Sequence, residues 1–254
     1  MAGRQPHPSV RRGVGVAGPL VAALGLTAVL WGLLPVGRIG HWAVHPATVA
    51  GCCWAGQLWY VSHSVGRGAG DAALGLANAL TLARGGLYAV VAGFVIVPAG
   101  TDLAWVPALC YGLGVALDKL DGAVARIVGE PTALGARLDT AFDTFGFVAA
   151  PLLAVAWGQL PVWYLSISAA RHVFLGGVRW RRLRGREVFD RPDSDLGRYL
   201  AGLQMVFITA ALAPVVPTEL VRTAAPVVLA PSLLVFCRDY LAVSGRLPGA
   251  DPGA

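Results

Sequence analysis

Long apolar runs alternate with short polar or proline-containing breaks along most of the chain. Each run is close to the twenty residues or so that a helix needs to cross the hydrocarbon core of a bilayer. We therefore predict eight membrane-spanning helices. They cover residues 14–37, 42–61, 86–100 with a start a little earlier, 103–126, 134–158, 161–178, 199–216 and 220–237.

A segment between the second and third runs, residues 71–84, has a different pattern. Its polar members are Asp71, Asn78, Thr81 and Arg84, at spacings of seven, three and three residues, and most of the remainder is alanine and leucine. Such spacing keeps polar side chains on one side of a helix. We interpret the segment as an amphipathic helix at the cytoplasmic membrane surface, either a plain anchor or part of a site.

The composition also indicates a membrane protein. Of the 254 residues, 56% are hydrophobic and only 13% are charged, and the mean hydropathy is +0.63. A soluble domain of this length needs more polar surface. The predicted fold class is therefore all-α, a polytopic integral membrane helical bundle. The four cysteines form no C-x-x-C pair and all fall in apolar runs, which is typical of reduced thiols.

The net charge of +6 is interpreted as a topology signal and not as a nucleic-acid site. Eight spans with both termini in the cytoplasm place the basic N-terminus and the stretch 179–198, which holds seven arginines, on the cytoplasmic side. Only Arg38 and Arg222 fall outside, as the positive-inside rule requires. The first run could instead be a cleaved signal peptide, but it is long and no clear A-x-A site follows.

Four aspartates interrupt the apolar pattern in the stretch DKLDGAVARIVGEPTALGARLDTAFD, between the fourth and fifth spans. Asp118 and Asp121 are three residues apart, and Asp139 and Asp143 are four apart, so each pair shares a helix face. Residues 129–132 form a short connection between the two antiparallel helices. The two faces can therefore meet in a pocket of carboxylates that opens to the cytoplasm.

Four carboxylates at low dielectric repel one another and require protons, water or cations. Divalent metal suits this site because carboxylate oxygens are the ligands that Mg²⁺, Mn²⁺ and Ca²⁺ prefer. Cysteine and histidine are missing from the stretch, which argues against zinc. Two ions that share carboxylates would fit four aspartates, and paired metals are common in phosphoryl chemistry.

Small residues surround the aspartates. Gly122, Ala125 and Gly135 lie beside them in sequence or one turn away, so a bulky ligand can approach the helix backbone. Arg126 could hold a phosphate or balance the acids. The structural alternative is that the acids only pair with nearby basic residues, but ionisable groups within membrane spans usually serve a function.

The stretch resembles the signature of the CDP-alcohol phosphotransferases of the class-I type. Their pattern is D-x-x-D-G-x-x-A-R, eight residues, and then G-x-x-x-D-x-x-x-D. Every fixed position and spacing is present, as Asp118, Asp121, Gly122, Ala125, Arg126, Gly135, Asp139 and Asp143. A gapped pattern of this length is very specific.

Two further segments are similar to family patterns. An N-x-L-T-x-x-R segment appears on the amphipathic helix as Asn78, Leu80, Thr81 and Arg84. Further on, GRYLAGLQ resembles the G-K-x-K-T-x-x-Q of phosphatidylglycerophosphate synthases. It matches at Gly197, Arg198 and Gln204 and departs at Leu200 and Ala201. That departure leaves the alcohol acceptor open.

The resemblance implies a domain organisation. Residues 67–254 would form the catalytic core, with the interfacial helix 71–84 and six transmembrane helices. Residues 1–66 would be a cytoplasmic N-terminus and two accessory transmembrane helices. Members of this family are often homodimers, so the resemblance implies a homodimer for this chain as well.

The resemblance also implies a reaction. A CDP-linked lipid, usually CDP-diacylglycerol, donates its phosphatidyl group to a small alcohol, and CMP leaves. Asp118, Asp121 and Asp139 would bind two Mg²⁺ or Mn²⁺ ions, with Asp143 as the general base and a further metal ligand. Positions matching the CDP group are Gly122, Ala125, Arg126, Thr132 and Gly135. Further candidates for substrate binding are Asn78, Thr81, Arg84, Arg137, Arg171 and Arg198.

Several questions stay open at this point. The acceptor is expected to be a phosphorylated polyol such as glycerol 3-phosphate or inositol phosphate, because of Arg198, Gln204 and the abundance of arginine. Two other classes that use intramembrane acids are a UbiA-like prenyltransferase and a cation or proton transporter, and a non-catalytic relative is a third alternative.

The richness in alanine, glycine and arginine with a single lysine favours a bacterial cell membrane.

Overall fold

The computed structural model describes residues 17–33, 45–65, 76–128, 133–190 and 194–247, and these are helical with no β-strand. Short 3₁₀ turns at Phe94–Ile96 and Val162–Leu165 follow the third and fifth helices. The helices are α1 (Ala17–Leu33), α2 (Pro46–Val65), α3 (Leu76–Gly93), α4 (Trp105–Val128), α5 (Ala133–Ala156), α6 (Ser166–Leu183), α7 (Asp195–Leu212) and α8 (Thr218–Val243).

The all-α fold class is confirmed for the described residues, and each predicted apolar run except the third, 86–100, corresponds to a helix whose ends lie within about six residues of the expected ones. Within those residues, two helical segments are long and apolar enough to cross a membrane, Leu138–Ala156 and Thr218–Val243. The core helix of a soluble protein can pass the same criterion. The predicted bundle of six core spans and two accessory spans therefore stays a prediction.

The structure differs from the prediction of a separate interfacial helix over residues 71–84. Helix α3 runs without a break from Leu76 to Gly93, so the polar segment and the third span form one helix. Arg84 is fully buried and Thr81 nearly so. Arg84 on this helix points at carboxylates on α4 and α5 instead of at water, which the amphipathic pattern did not indicate. Residues 71–75, with Asp71, lie outside the described residues.

Helix α3 lies at the centre of the bundle and contacts α2, α4 and α5. Helix α7 packs against α4, α5 and α8, and α6 packs mainly against α8. Helix α1 reaches the rest of the protein through α2, where Trp31 stacks on His45 at 4.1 Å between ring centroids. The first two helices therefore form a pair on the outer side of α3.

The ends of α3 and α5 are joined by one side chain. The indole Nε1 of Trp157 donates a hydrogen bond of 2.8 Å to the carbonyl of Val97. The chain reverses directly afterwards at Gly158, whose φ of +71° favours glycine over any residue with a Cβ. This contact fixes the two helices relative to each other at the end away from the aspartates.

The side chain of Tyr88 fills a slot between α4 and α5. It is 1% exposed, and the slot is walled by Gly114 on α4 and Gly146 on α5. A Cβ atom at Gly146 would lie only 2.6 Å from Cε2 of Tyr88. The two glycines therefore let three helices approach closely around one aromatic ring.

We expect the substitution Gly146→Ala to lower the Tm of the detergent-solubilised protein. Overpacking of this kind costs about 1–3 kcal/mol, which exceeds the ~0.5–1 kcal/mol that alanine gains over glycine in a helix. The matched control is Gly176→Ala on α6, where an added Cβ meets no described atom within 4 Å. Differential scanning fluorimetry should show an unchanged or raised Tm for the control, and equal Tm values for the two variants would contradict the packing described for Tyr88.

Candidate active site

One buried arginine and three aspartates meet where α3, α4 and α5 come together. Arg84 forms ion pairs with Asp118 of α4 and Asp139 of α5. Its Nη1 atom also lies 3.4 Å from Oδ1 of Asp143. The guanidinium has no exposed surface, whereas the side chains of Asp118, Asp143 and Asp139 are 15%, 23% and 43% exposed. The cation therefore sits beneath the carboxylates, which face the opening of the site.

The cluster lies one helical turn from the Tyr88 slot on every helix. Arg84 precedes Tyr88 by four residues on α3, and Asp118 follows Gly114 by four on α4. Asp143 precedes Gly146 by three on α5. Side chains three or four residues apart share a helix face, so the slot and the cluster form two adjacent layers. Close packing in the first layer sets the distances in the second.

The charges of the described side chains at this site do not balance. Three ionised carboxylates and one guanidinium among them leave two net negative charges. Lys119 lies 3.5 Å from Asp118 but is 67% exposed, so solvent screens its charge. Oδ1 of Asp143 is buried and has no hydrogen-bond partner among the described residues. A lone pair of this kind is costly unless something binds it.

The donor set fits a divalent metal. One oxygen from each of Asp118, Asp139 and Asp143 can be chosen so that all lie within 4.8 Å of one another. Oxygen donors without sulfur or imidazole suit hard ions such as Mg²⁺ or Mn²⁺. The structure thus brings together three of the four predicted metal ligands.

The remaining predicted residues are placed less completely. Thr132 and the connection 129–132 lie outside the described residues. Helical backbone is described, without side chains, for Asn78, Asp121, Gly122, Ala125, Arg126, Gly135 and Arg137. Thr81 is buried on α3, one turn before Arg84. Arg198 is not brought to the cluster, since it is 82% exposed and its Nη1 pairs with Asp195 at 2.9 Å.

Sequence reasoning assigned Arg84 to substrate binding and did not foresee its ion pairs. The polar spacing on residues 71–84 did indicate a shared face for Arg84 and Thr81. It could not indicate which helices that face would meet. The signal that was available is charge: four clustered acids need a buried cation, and Arg84 is the basic residue of the N-x-L-T-x-x-R segment.

A partly open cavity with an enclosed volume of about 100 Å³ adjoins the cluster, between α5, α6, α7 and α8. Thr144, the residue after Asp143, lies in its wall. On its far side the buried Gln204 donates hydrogen bonds of 2.9 Å to the Val228 carbonyl and to Ser232 Oγ. Gln204 also accepts a hydrogen bond from the Tyr164 hydroxyl. This network holds the rear of the cavity in one arrangement.

Curated relatives share part of this sequence. Three mycobacterial proteins, one from Mycobacterium bovis and two from strains of Mycobacterium tuberculosis, are 32% identical over 91 residues. Each carries the name "Putative cardiolipin synthase". The match covers 30% of this chain and 44% of each relative, so the chain spans less than half the length of the curated relatives it matches. No solved structure matches the chain.

The sequence profile of one protein family covers a much larger part of the chain. It matches residues 74–236, which is more than half of the sequence. The matched region begins at α3 and ends within α8, so it contains the arginine, the three described aspartates and the adjoining cavity. The chain belongs to the CDP-alcohol phosphatidyltransferase family.

Proposed function

We propose that this protein transfers a phosphatidyl group from a CDP-linked lipid, CDP-diacylglycerol, to an alcohol and releases CMP. One observation carries the proposal: three of the four aspartates at the family's motif positions converge on a single site, and the described side chains there leave two net negative charges. A site with that charge suits metal-assisted attack at phosphorus.

The step forms one bond and breaks one. The acceptor hydroxyl oxygen bonds to the phosphorus that carries diacylglycerol, and the bond from that phosphorus to the CMP oxygen breaks. CMP leaves with the electron pair. The hydroxyl proton goes to the Asp143 carboxylate, whose side chain is 23% exposed toward the opening of the site.

Asp118, Asp121 and Asp139 would hold two Mg²⁺ or Mn²⁺ ions, with Asp143 beside them. When bound, these ions neutralise charge on the pyrophosphate and on the departing CMP. Arg84 restrains Asp118 and Asp139 from below, so their outward oxygens keep a fixed direction. Residues around the CDP group in this proposal are Gly122, Ala125, Arg126, Thr132 and Gly135.

A membrane location is supported by the outer surface of the helices. On α8, Leu220, Val227 and Leu234 are 62%, 73% and 69% exposed. These residues are seven positions apart, so they form one stripe along the helix. Helix α4 carries a similar row of exposed apolar side chains. Large exposed apolar surfaces mark contact with lipid or with another protein. We place the protein in a bacterial cell membrane, as a homodimer with the aspartates facing the cytoplasm.

The acceptor in this proposal is an alcohol that carries a phosphate group. A phosphorylated polyol such as glycerol 3-phosphate or inositol phosphate has that chemistry, and so does the headgroup of an anionic phospholipid. Arginine in the wall of the cavity beside Asp143 supports the phosphate requirement.

The reaction is tested with purified protein in liposomes that contain radiolabelled CDP-diacylglycerol and Mn²⁺. Addition of a suitable alcohol should release CMP. We expect Asp143→Asn to slow this release by about 10²–10⁴-fold, since it removes the proton acceptor, while CDP-diacylglycerol still binds. The control is Asp195→Asn, an exposed carboxylate on α7. A wild-type rate for Asp143→Asn would overturn its role as the base.

We expect Asp118→Ala to weaken Mn²⁺ binding by at least about tenfold, because loss even of an outer partner of a metal ligand has an effect of that size. Electron paramagnetic resonance of free Mn²⁺ measures this without any turnover. Asp195→Asn again serves as the control. Unchanged Mn²⁺ affinity in the Asp118 variant would show that the cluster does not hold the metal.

We expect Arg84→Met to destabilise the protein most strongly when metal is removed with EDTA. Loss of one partner from a buried ion pair costs about 3–5 kcal/mol, and here three carboxylates lose their shared cation. Added Mn²⁺ should reduce the deficit in Tm relative to wild type, because it replaces the missing positive charge.

The control for that variant is Arg198→Met, which removes an exposed arginine with a single ion pair. Its Tm should stay close to that of wild type with and without Mn²⁺, as expected for an exposed pair. An Arg84→Met protein with wild-type Tm in EDTA would contradict the proposed charge balance.

A further inference from the structure

The cavity beside the aspartate cluster has walls of two kinds. Its apolar surface comes from four helices and includes Phe147, Ile167, Leu200 and Phe236. Its enclosed volume is about 100 Å³, and it is partly open to solvent. The cavity can therefore hold part of a ligand that extends beyond it, and most of its surface is suited to hydrocarbon.

Arg171 is the positive charge in this wall. It lies on α6 and is close enough to Asp143 for the two charges to interact. No described residue forms an ion pair with it, and its buried Nε lacks a hydrogen-bond partner among the described residues. A guanidinium with unused donors at the edge of an apolar cavity is suited to a phosphate group.

The polar groups at the rear of the cavity do not offer a second phosphate site. The side-chain nitrogen of Gln204 is already committed to Val228 and Ser232. His172 is exposed, and its Nδ1 contacts the carbonyl of Ser168 at 2.8 Å. A small polyol with many hydroxyl groups would leave most of them unpaired against the apolar wall, which is costly.

We propose that the acceptor is a lipid alcohol: a phosphodiester headgroup with a free hydroxyl, held at its phosphate by Arg171 and at its glyceryl and acyl portion by the apolar wall. This inference rests on the proposed function and narrows its acceptor from phosphate-bearing alcohols in general to an anionic phospholipid. Phosphatidylglycerol has this chemistry, and transfer to it gives cardiolipin.

Two observations favour the lipid over a soluble phosphorylated polyol. Leu200 and Ala201 line the cavity and contribute no charge, so among the described lining residues one guanidinium faces one phosphate. A phosphodiester carries a single negative charge, whereas a phosphomonoester carries close to two at neutral pH. The mycobacterial relatives, whose matched segment is short, have a name that refers to a cardiolipin product.

The test uses the full-length protein in liposomes with CDP-diacylglycerol and Mn²⁺, and compares acceptors. One arm has phosphatidylglycerol in the bilayer, and the others have glycerol 3-phosphate or inositol phosphate in solution over phosphatidylcholine. We expect CMP release with phosphatidylglycerol to be at least tenfold faster than with either soluble acceptor. Cardiolipin should appear in the lipid extract.

Release of CMP with a soluble acceptor but not with phosphatidylglycerol would overturn the inference and leave the phosphatidyl transfer intact. Absence of CMP release with every acceptor, from protein that binds CDP-diacylglycerol, would overturn both. The two failures are therefore distinguishable in one experiment.

Variants separate the role of Arg171 from a structural one. We expect Arg171→Gln to raise the KM for phosphatidylglycerol by at least tenfold with a smaller change in kcat, and Arg171→Lys to recover part of the loss. Arg179→Gln, an exposed arginine on the same helix, is the control. Equal loss of kcat in both Arg171 variants, without a change in KM, would contradict phosphate binding.

A second variant adds charge to the cavity wall. Leu200→Lys would place an ammonium group there, and we expect it to increase CMP release with glycerol 3-phosphate relative to phosphatidylglycerol. An unchanged ratio of the two rates would show that the cavity does not receive the acceptor.

Discussion

The close approach of α3, α4 and α5 around Tyr88 determines the rest of the site. The ring is accommodated because glycine stands at position 114 on one side and at position 146 on the other. The Tyr88 ring fits between these two glycines. This contact fixes the rotation of each helix about its own axis. One turn away, that rotation brings Arg84 against Asp118 and Asp139. Chemistry at the cluster thus depends on packing in the layer beneath it.

Family membership decides between the reaction classes that the aspartates alone left open. A prenyltransferase or an ion transporter could also place acids among apolar helices, but the family profile covers α3 to α8 and so includes the whole site. The cavity indicates the kind of acceptor, which family membership alone does not. Among the described residues of its wall, Arg171 is the one guanidinium and most of the others are apolar, which supports a more lipid-like acceptor than the phosphorylated polyol expected from the sequence.

The sequence predicted the helical fold class, the helix positions and three aspartates that converge, because local periodicity and motif spacing carry that information. It misplaced residues 71–84, since an amphipathic pattern does not distinguish a face turned to water from one turned to buried carboxylates. It also offered Arg198 as a substrate residue, although that side chain pairs with Asp195 in solvent. The long-range pairs of Arg84 with Asp118 and Asp139 depend on how helices rotate against one another, which local patterns do not encode.

Arg84 is a positive charge that is part of the polypeptide itself, and this affects how the protein can assemble. Many metalloproteins cannot assemble until their ion arrives, because the ligands repel one another in its absence. Here Arg84 emerges with the polypeptide and offsets part of that repulsion. In the proposed enzyme the helices would then associate before any ion is captured, and the supply of metal would limit turnover instead of assembly.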